Sequence, residues 1–207
     1  RRCYAGLDLS STTDLTSLML LLEPRDETER WALYPFFWLP ADGLADKAEK
    51  DRVPYLAWRD AGHLETLPGR AINKLAVLRR MVEITARFEL VAVAYDRWRM
   101  EDLIMLADQE GVSLPLIPFG QGFKDMAPAI DEFEERLLNE QLEHPGNPVL
   151  TWNAANAVIV QDPAGNRKLS KERATGRIDG MVAAVMSVGT TLQDSEHSPL
   201  RQAFVEI

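Results

Sequence analysis

The sequence predicts an α/β domain built on a mixed sheet, an antiparallel meander followed by parallel strands, flanked by helices. Three observations carry that prediction. The first forty residues hold three β-prone runs separated by polar turns. From residue 73 onward, helical and strand-like segments alternate, as in sheets with parallel members. The run Leu90 to Tyr95 is apolar without alternation, as expected of a central strand covered on both faces.

Each element follows from its local pattern. Tyr4, Gly6 and Asp8 alternate with Cys3, Ala5, Leu7 and Leu9, the period-two pattern of a strand with two distinct faces that ends near Asp8. Ser10 to Asp14 is a polar turn, and Leu15 to Leu22 and Trp31 to Trp38 complete the meander. Ala45 to Arg59 reads as helix, interrupted at Pro54, which has no backbone donor. Asn73 to Phe88 carries a helical apolar face of Leu75, Leu78, Met81, Val82 and Phe88, and the central strand after it delivers Asp96 at its end. Glu101 to Gln109 reads as helix and Leu114 to Ile117 as a short strand. Lys124 to Leu142 reads as a helix with Ile130, Phe133, Leu137 and Leu138 inward. Asn147 and Pro148 suit a cap and first helical position, opening a helix to about Asn156. Apolar Ala157 to Val160 precedes a turn at Asp162 to Asn166. A last helix starts near Arg177, with Ile178, Val182, Val185, Met186 and Gly189 on one face. These elements make one domain over residues 1–193, and 194–207 read as a polar, frayed tail.

Composition narrows the class. A chain of 207 residues, 46% apolar and 27% charged, can bury one sizeable core. The longest candidate stretch, Leu15 to Leu22, is far short of the roughly 20 apolar residues of a membrane helix, so no membrane is expected as a partner. A single cysteine, Cys3, excludes an intrachain disulfide and fits a reducing cytoplasm. The chain passes from Arg1-Arg2-Cys3 directly into a strand, which reads as a fragment of a longer protein. A net charge of -9 argues against nucleic-acid binding by bulk electrostatics, because that term comes from Lys and Arg displacing counterions. Any grip on DNA must be local. Carboxylates holding divalent cations reconcile the two, since the ions reverse the local sign.

Three aspartates end core elements: Asp8 after strand one, Asp96 after the central strand, and Asp179 in the first turn of the last helix. If the two strands are neighbours and the helix points at their ends, the three converge. Hard divalent ions take oxygen ligands, and paired ions roughly 3.5 to 4 Å apart serve phosphodiester cleavage. Taken singly, each acid reads more readily as something plainer. Asp179 complements a helix dipole, Asp8 and Asp14 are turn or cap acids, and Asp96 is a loop acid paired with Arg97 or Arg99.

The wording around the acids changes that weighting. In order along the chain stand Tyr4 to Ser10 with Asp14-Leu15-Thr16, Ala94 to Trp98, Pro118 to Lys124, Gly146 to Leu150 with Trp152 and Asn156, and Thr175 to Gly180. Together they resemble the C-terminal nuclease domain of phage terminase large subunits over roughly residues 3 to 190. The resemblance implies a ribonuclease H-like fold and a metal-dependent endonuclease that cuts double-stranded viral DNA concatemers during genome packaging. It implies Asp8, Asp96 and Asp179 as catalytic, metal-binding acids, with two Mg²⁺ or Mn²⁺ ions and Asp14 behind them as a supporting residue or a turn former. It further implies an upstream packaging ATPase, a small terminase subunit and a portal as partners, in the cytoplasm of an infected or lysogenic bacterial host. No G-x-x-x-x-G-K-[ST] loop occurs here, so ATP hydrolysis is not expected of these residues.

Arg167, Lys168, Lys171, Arg173 and Arg177 place five basic residues in eleven just before Asp179. They read equally as phosphate contacts at the mouth of the site, chiefly Lys168, Lys171, Arg173 and Arg177, or as a solvated loop. Gln121 to Lys124 reads as a turn feeding a helix. His63, His144 and His197 lack partners at helical spacing, which argues against zinc. Trp31, Trp38, Trp58, Trp98 and Trp152 read as core. No G-x-S-x-G elbow supports a serine hydrolase. Two alternatives stand beside the nuclease: another ribonuclease H-like enzyme such as a junction resolvase, and a non-catalytic docking module of the packaging machine.

Overall fold

The structure, a computed structural model, describes residues 1–96 and 100–197, the last three by backbone alone. The expected meander is present as β1 (Arg2–Asp8), β2 (Thr16–Leu22) and β3 (Trp31–Pro40), each antiparallel to the next. The central strand is β5 (Glu89–Asp96), which lies parallel to β1, and β6 (Leu116–Phe119) lies parallel to β5. Two short strands lie along β3: β4 (Glu65–Leu67) and β7 (Leu142–Glu143). The path across the sheet runs β4-β3-β2-β1-β5-β6.

Strand alternation feeds two cores. Cys3, Ala5, Leu7, Leu18, Leu20 and Val93 pack on one face against α3 (Lys74–Thr85) and α4 (Glu101–Gln109). Tyr4, Met19, Leu21, Phe37 and Ala92 pack on the other, against α5 (Phe123–Leu138), α6 (Pro148–Asn156) and α7 (Asp179–His197). Every residue of β1 from Cys3 to Asp8 is therefore buried. Pro54 divides the next helical stretch as expected, into α1 (Leu44–Asp51) and α2 (Tyr55–Asp60). The turn at Asp162 closes a hairpin of β8 (Ile159–Gln161) and β9 (Arg167–Leu169).

Four expectations need correction. The strand placed at Leu114 to Ile117 starts two residues later, because Pro115 has no N–H to give; its carbonyl instead accepts from the Val93 amide at 2.9 Å. Helix α5 ends at Leu138 rather than Leu142, broken by Glu140 at φ 54°, and Leu142 crosses to pair with Trp31. Its last turn also faces otherwise: Leu137 and Leu138 are 44% and 78% exposed, while Arg136 turns inward. The Arg136 guanidinium donates to Thr191 Oγ1 at 2.8 Å and lies 4.1 Å from the Trp31 ring centroid. Finally, α7 continues past Asp194 to His197. Asp194 accepts from the Tyr4 hydroxyl and from Arg2, each at 2.8 Å, which holds that turn on the sheet. The remaining expected tail, 198–207, lies outside the described residues, as do Arg97, Trp98 and Arg99. No described helix is long and apolar enough to cross a membrane.

Candidate active site

Helix α7 runs back across β1, and the strand side chains that face it fix both its ends. Tyr4 meets Asp194 near one end, and Asp8 lies beside Asp179 at the other. Between them, Gly6 lets the helix touch the strand. A Cβ there would stand 2.0 Å from the Ala183 carbonyl oxygen and 2.9 Å from the Ser187 nitrogen. On the neighbouring strand, Leu7 pairs with Tyr95 in parallel register, so Asp8 and Asp96 leave the same edge of the sheet side by side.

The N-terminus of α7 is held from α6. Asn153, fully buried, accepts from the Gly180 N–H at 2.8 Å and donates to the Val149 carbonyl at 2.9 Å. Asn156 donates to the Arg177 carbonyl at 3.3 Å and accepts from the Thr175 hydroxyl at 3.1 Å. Helix α6 is itself capped by Asn147, whose Oδ1 accepts from Val149 and Leu150. Asp179 thus sits on an end that is tied down, and the backbone N–H dipoles there favour its negative charge.

Asp8 is 4% exposed, and the Lys171 ammonium donates to its Oδ2 and lies 3.2 Å from Asp179 Oδ1. Burial pushes the Asp8 carboxyl up to about 7; Lys171 pulls against that rise, while the charges of Asp179 and Asp96 add to it. Burial works to lower the Lys171 pKa, but Asp8 and Asp179 outweigh it and hold the ammonium above its ordinary range. Among the described residues, no three acids, histidines or cysteines are grouped tightly enough to hold an ion unaided. Asp8 and Asp179 instead share a cation already, and Asp96 acts on Asp8 from the next strand. The donors are hard oxygens with a positive charge between them, a set that fits Mg²⁺ or Mn²⁺.

The other predicted residues take distinct places. Asp14 pairs with Arg177 at 2.6 Å and with Lys47 at 4.0 Å, and its amide donates to Ser10 Oγ in the turn after β1. It therefore anchors the rim cation Arg177. Lys171 lies among the acids, Lys168 lies 4.8 Å from the Phe123 ring centroid, and Arg173 is exposed. Arg167 is turned to α5, where it pairs with Asp131 and, at 2.8 Å, Glu134. Two clefts flank Arg177. One of 440 Å³ is lined by Arg52, Tyr55, Trp152 and Lys171; the other, of 350 Å³, by Asp14, Lys47, Lys50 and Arg70. Lys47, Lys50, Arg52 and Arg70 went unpredicted, because no local spacing joins them to the basic run near residue 170.

A model of the family described as "Terminase large subunit, endonuclease domain" matches residues 1–196. The chain belongs to that family. It is 50% identical over 189 residues to the terminase large subunit of Enterobacteria phage HK97, which covers 91% of this chain and 37% of that protein. The crystal structure of the HK97 large terminase superimposes with a TM-score of 0.86 at 49% identity, over 92% of this chain and 39% of that one. The domain thus spans under two-fifths of the length of the HK97 protein. The large terminase nuclease from thermophilic phage G20c, solved with bound magnesium, matches at a TM-score of 0.55 and 12% identity, over 90% of this chain and 79% of that one, a likeness of fold. The mixed sheet of the domain is accordingly ribonuclease H-like.

Proposed function

We propose that this domain is a metal-dependent endonuclease that cuts double-stranded viral DNA concatemers during genome packaging. The observation that carries the reading is the convergence of Asp8 and Asp179 on one cation, at the sheet edge where Asp96 also ends. Family membership supports it, as does the magnesium held by the G20c nuclease. Asp8, Asp96 and Asp179 would hold two Mg²⁺ or Mn²⁺ ions. Such a pair supplies Lewis-acid activation of the attacking water and of the leaving oxygen. Burial of Asp8 and the tethered N-terminus of α7 keep the carboxylates oriented, and Arg173 and Arg177 meet the phosphate backbone at the rim. In the longer protein, the packaging ATPase, small subunit and portal would choose where the cut falls, in the cytoplasm of the bacterial host.

The test is incubation of supercoiled plasmid with the domain and each metal. Nicking or degradation with little sequence preference is expected, blocked by chelation and abolished in Asp96→Asn and Asp179→Asn. Folded protein that leaves linear and supercoiled DNA intact with both metals contradicts the proposal. Cleavage confined to branched DNA points to a resolvase, and no cleavage of any DNA points to a docking module.

A further inference from the structure

The Lys171 ammonium stands between Asp8 and Asp179, the space that any ion shared by those carboxylates must enter. Its backbone is fixed on both sides. The Ser170 N–H donates to the Val158 carbonyl at 2.9 Å, the Ala174 N–H to the Ser170 carbonyl at 3.1 Å, and the Thr175 hydroxyl to Asn156 at 3.1 Å. The side chain is not enclosed in the same way. It is 41% exposed and borders the 440 Å³ cleft lined by Tyr55, Trp152 and Arg177, so it can leave the carboxylates without moving the loop. Two carboxylates side by side repel, and a resident cation relieves that repulsion. An ammonium and a divalent ion in the same gap would repel in turn.

We propose that Lys171 is a built-in counter-cation. It holds Asp8 and Asp179 together when no divalent ion is bound, and it swings into the neighbouring cleft when one enters. Metal affinity is therefore set by a competition inside the chain as well as by the three acids. The inference rests on the reading of these acids as a metal centre.

Calorimetric titration of Mn²⁺ into wild type, Lys171→Met, Lys171→Arg and Asp179→Asn separates the two. With the competing charge gone, Lys171→Met is expected to bind Mn²⁺ at least roughly tenfold more tightly. Lys171→Arg, which keeps a cation, stays near wild type, and Asp179→Asn loses binding. Equal or weaker binding in Lys171→Met, with binding still lost in Asp179→Asn, overturns the counter-cation while leaving the metal centre in place. Wild-type binding in Asp179→Asn, or no binding in wild type, overturns both. Amine acylation of the wild type read by mass spectrometry gives a second measurement that needs no variant. Lys171 is expected to be protected without metal and modified severalfold faster in saturating Mn²⁺, and a rate indifferent to Mn²⁺ counts against displacement.

Discussion

Asp8 is the residue on which the proposed chemistry and the stability of the domain meet. Its carboxyl is pushed up to about 7 by burial, against an ordinary value of 3.8, so the folded state holds a proton that the unfolded state has released over that interval. The stability tied to that proton is fully present below about pH 4 and is lost as pH rises to about 7. In metal-free buffer, melting temperature is expected to carry a downward component from about pH 4 to 7 that Asp8→Asn removes. The same pH profile in Asp8→Asn and wild type would contradict the assignment. The placement of the acids was legible in the sequence, because each stands at one end of an element whose pattern is strong, while their proposed role came from the resemblance. The role of Lys171 was not: it reads as one more cation in a basic run, and its partner Asp8 lies 163 residues away. Nor does the run reveal that Arg167, on β9, pairs with Asp131 and Glu134 of α5.

At the scale of elements, the site depends on how α7 is seated. Asn153→Ala strips the partner from the buried Gly180 N–H, at a cost of about 1 to 3 kcal/mol. For a chain of this size each kcal/mol lowers the melting midpoint by roughly 2 to 4 °C. A thermal melt within a degree of wild type would show that Asn153 does not hold the helix. Gly6→Ala is expected to do more, because its Cβ would overlap the Ala183 carbonyl and force α7 off the strand. A fall in Mn²⁺ affinity should accompany the loss of stability, since Asp179 moves with the helix. Unchanged affinity in a folded Gly6→Ala would separate helix seating from the site. Helices with clear caps were readable, with Asn73 capping α3 and Asn147 capping α6, and α4, which has no side-chain cap, still spans Glu101–Gln109 as expected. Elements set by tertiary packing were not. β4 and β7 hold three and two residues, too few to show a period, and exist because β3 offers them an edge. Arg136 displaced the two leucines after it because Thr191 and Trp31 give its guanidinium partners that no local pattern reveals.

At the scale of the whole molecule, the proposed cutting of DNA by a chain of net charge -9 requires its attraction for phosphates to be concentrated in one place. Arg173, exposed, and Arg177, paired with the single acid Asp14, are candidates for it, whereas Arg167 is held between two acids on α5. Replacing Arg173 and Arg177 with Gln should lower the slope of log affinity against log salt by roughly 0.9 for each phosphate no longer neutralised, and Arg167→Gln should leave it unchanged. Equal slopes in all variants would mean that DNA is held elsewhere. The layered plan, a meander joined to parallel strands with helices on both faces, was legible because the apolar periods change near residue 73. The clefts beside Arg177 were not, since α1, α2 and the loop before α7 meet only once the chain is folded. That Asp8, Asp96 and Asp179 form a single metal centre is tested most directly by anomalous diffraction from crystals soaked in Mn²⁺. Manganese peaks among those three carboxylates, absent in Asp179→Asn, are the expected result. Peaks confined to exposed acids elsewhere on the surface would contradict it.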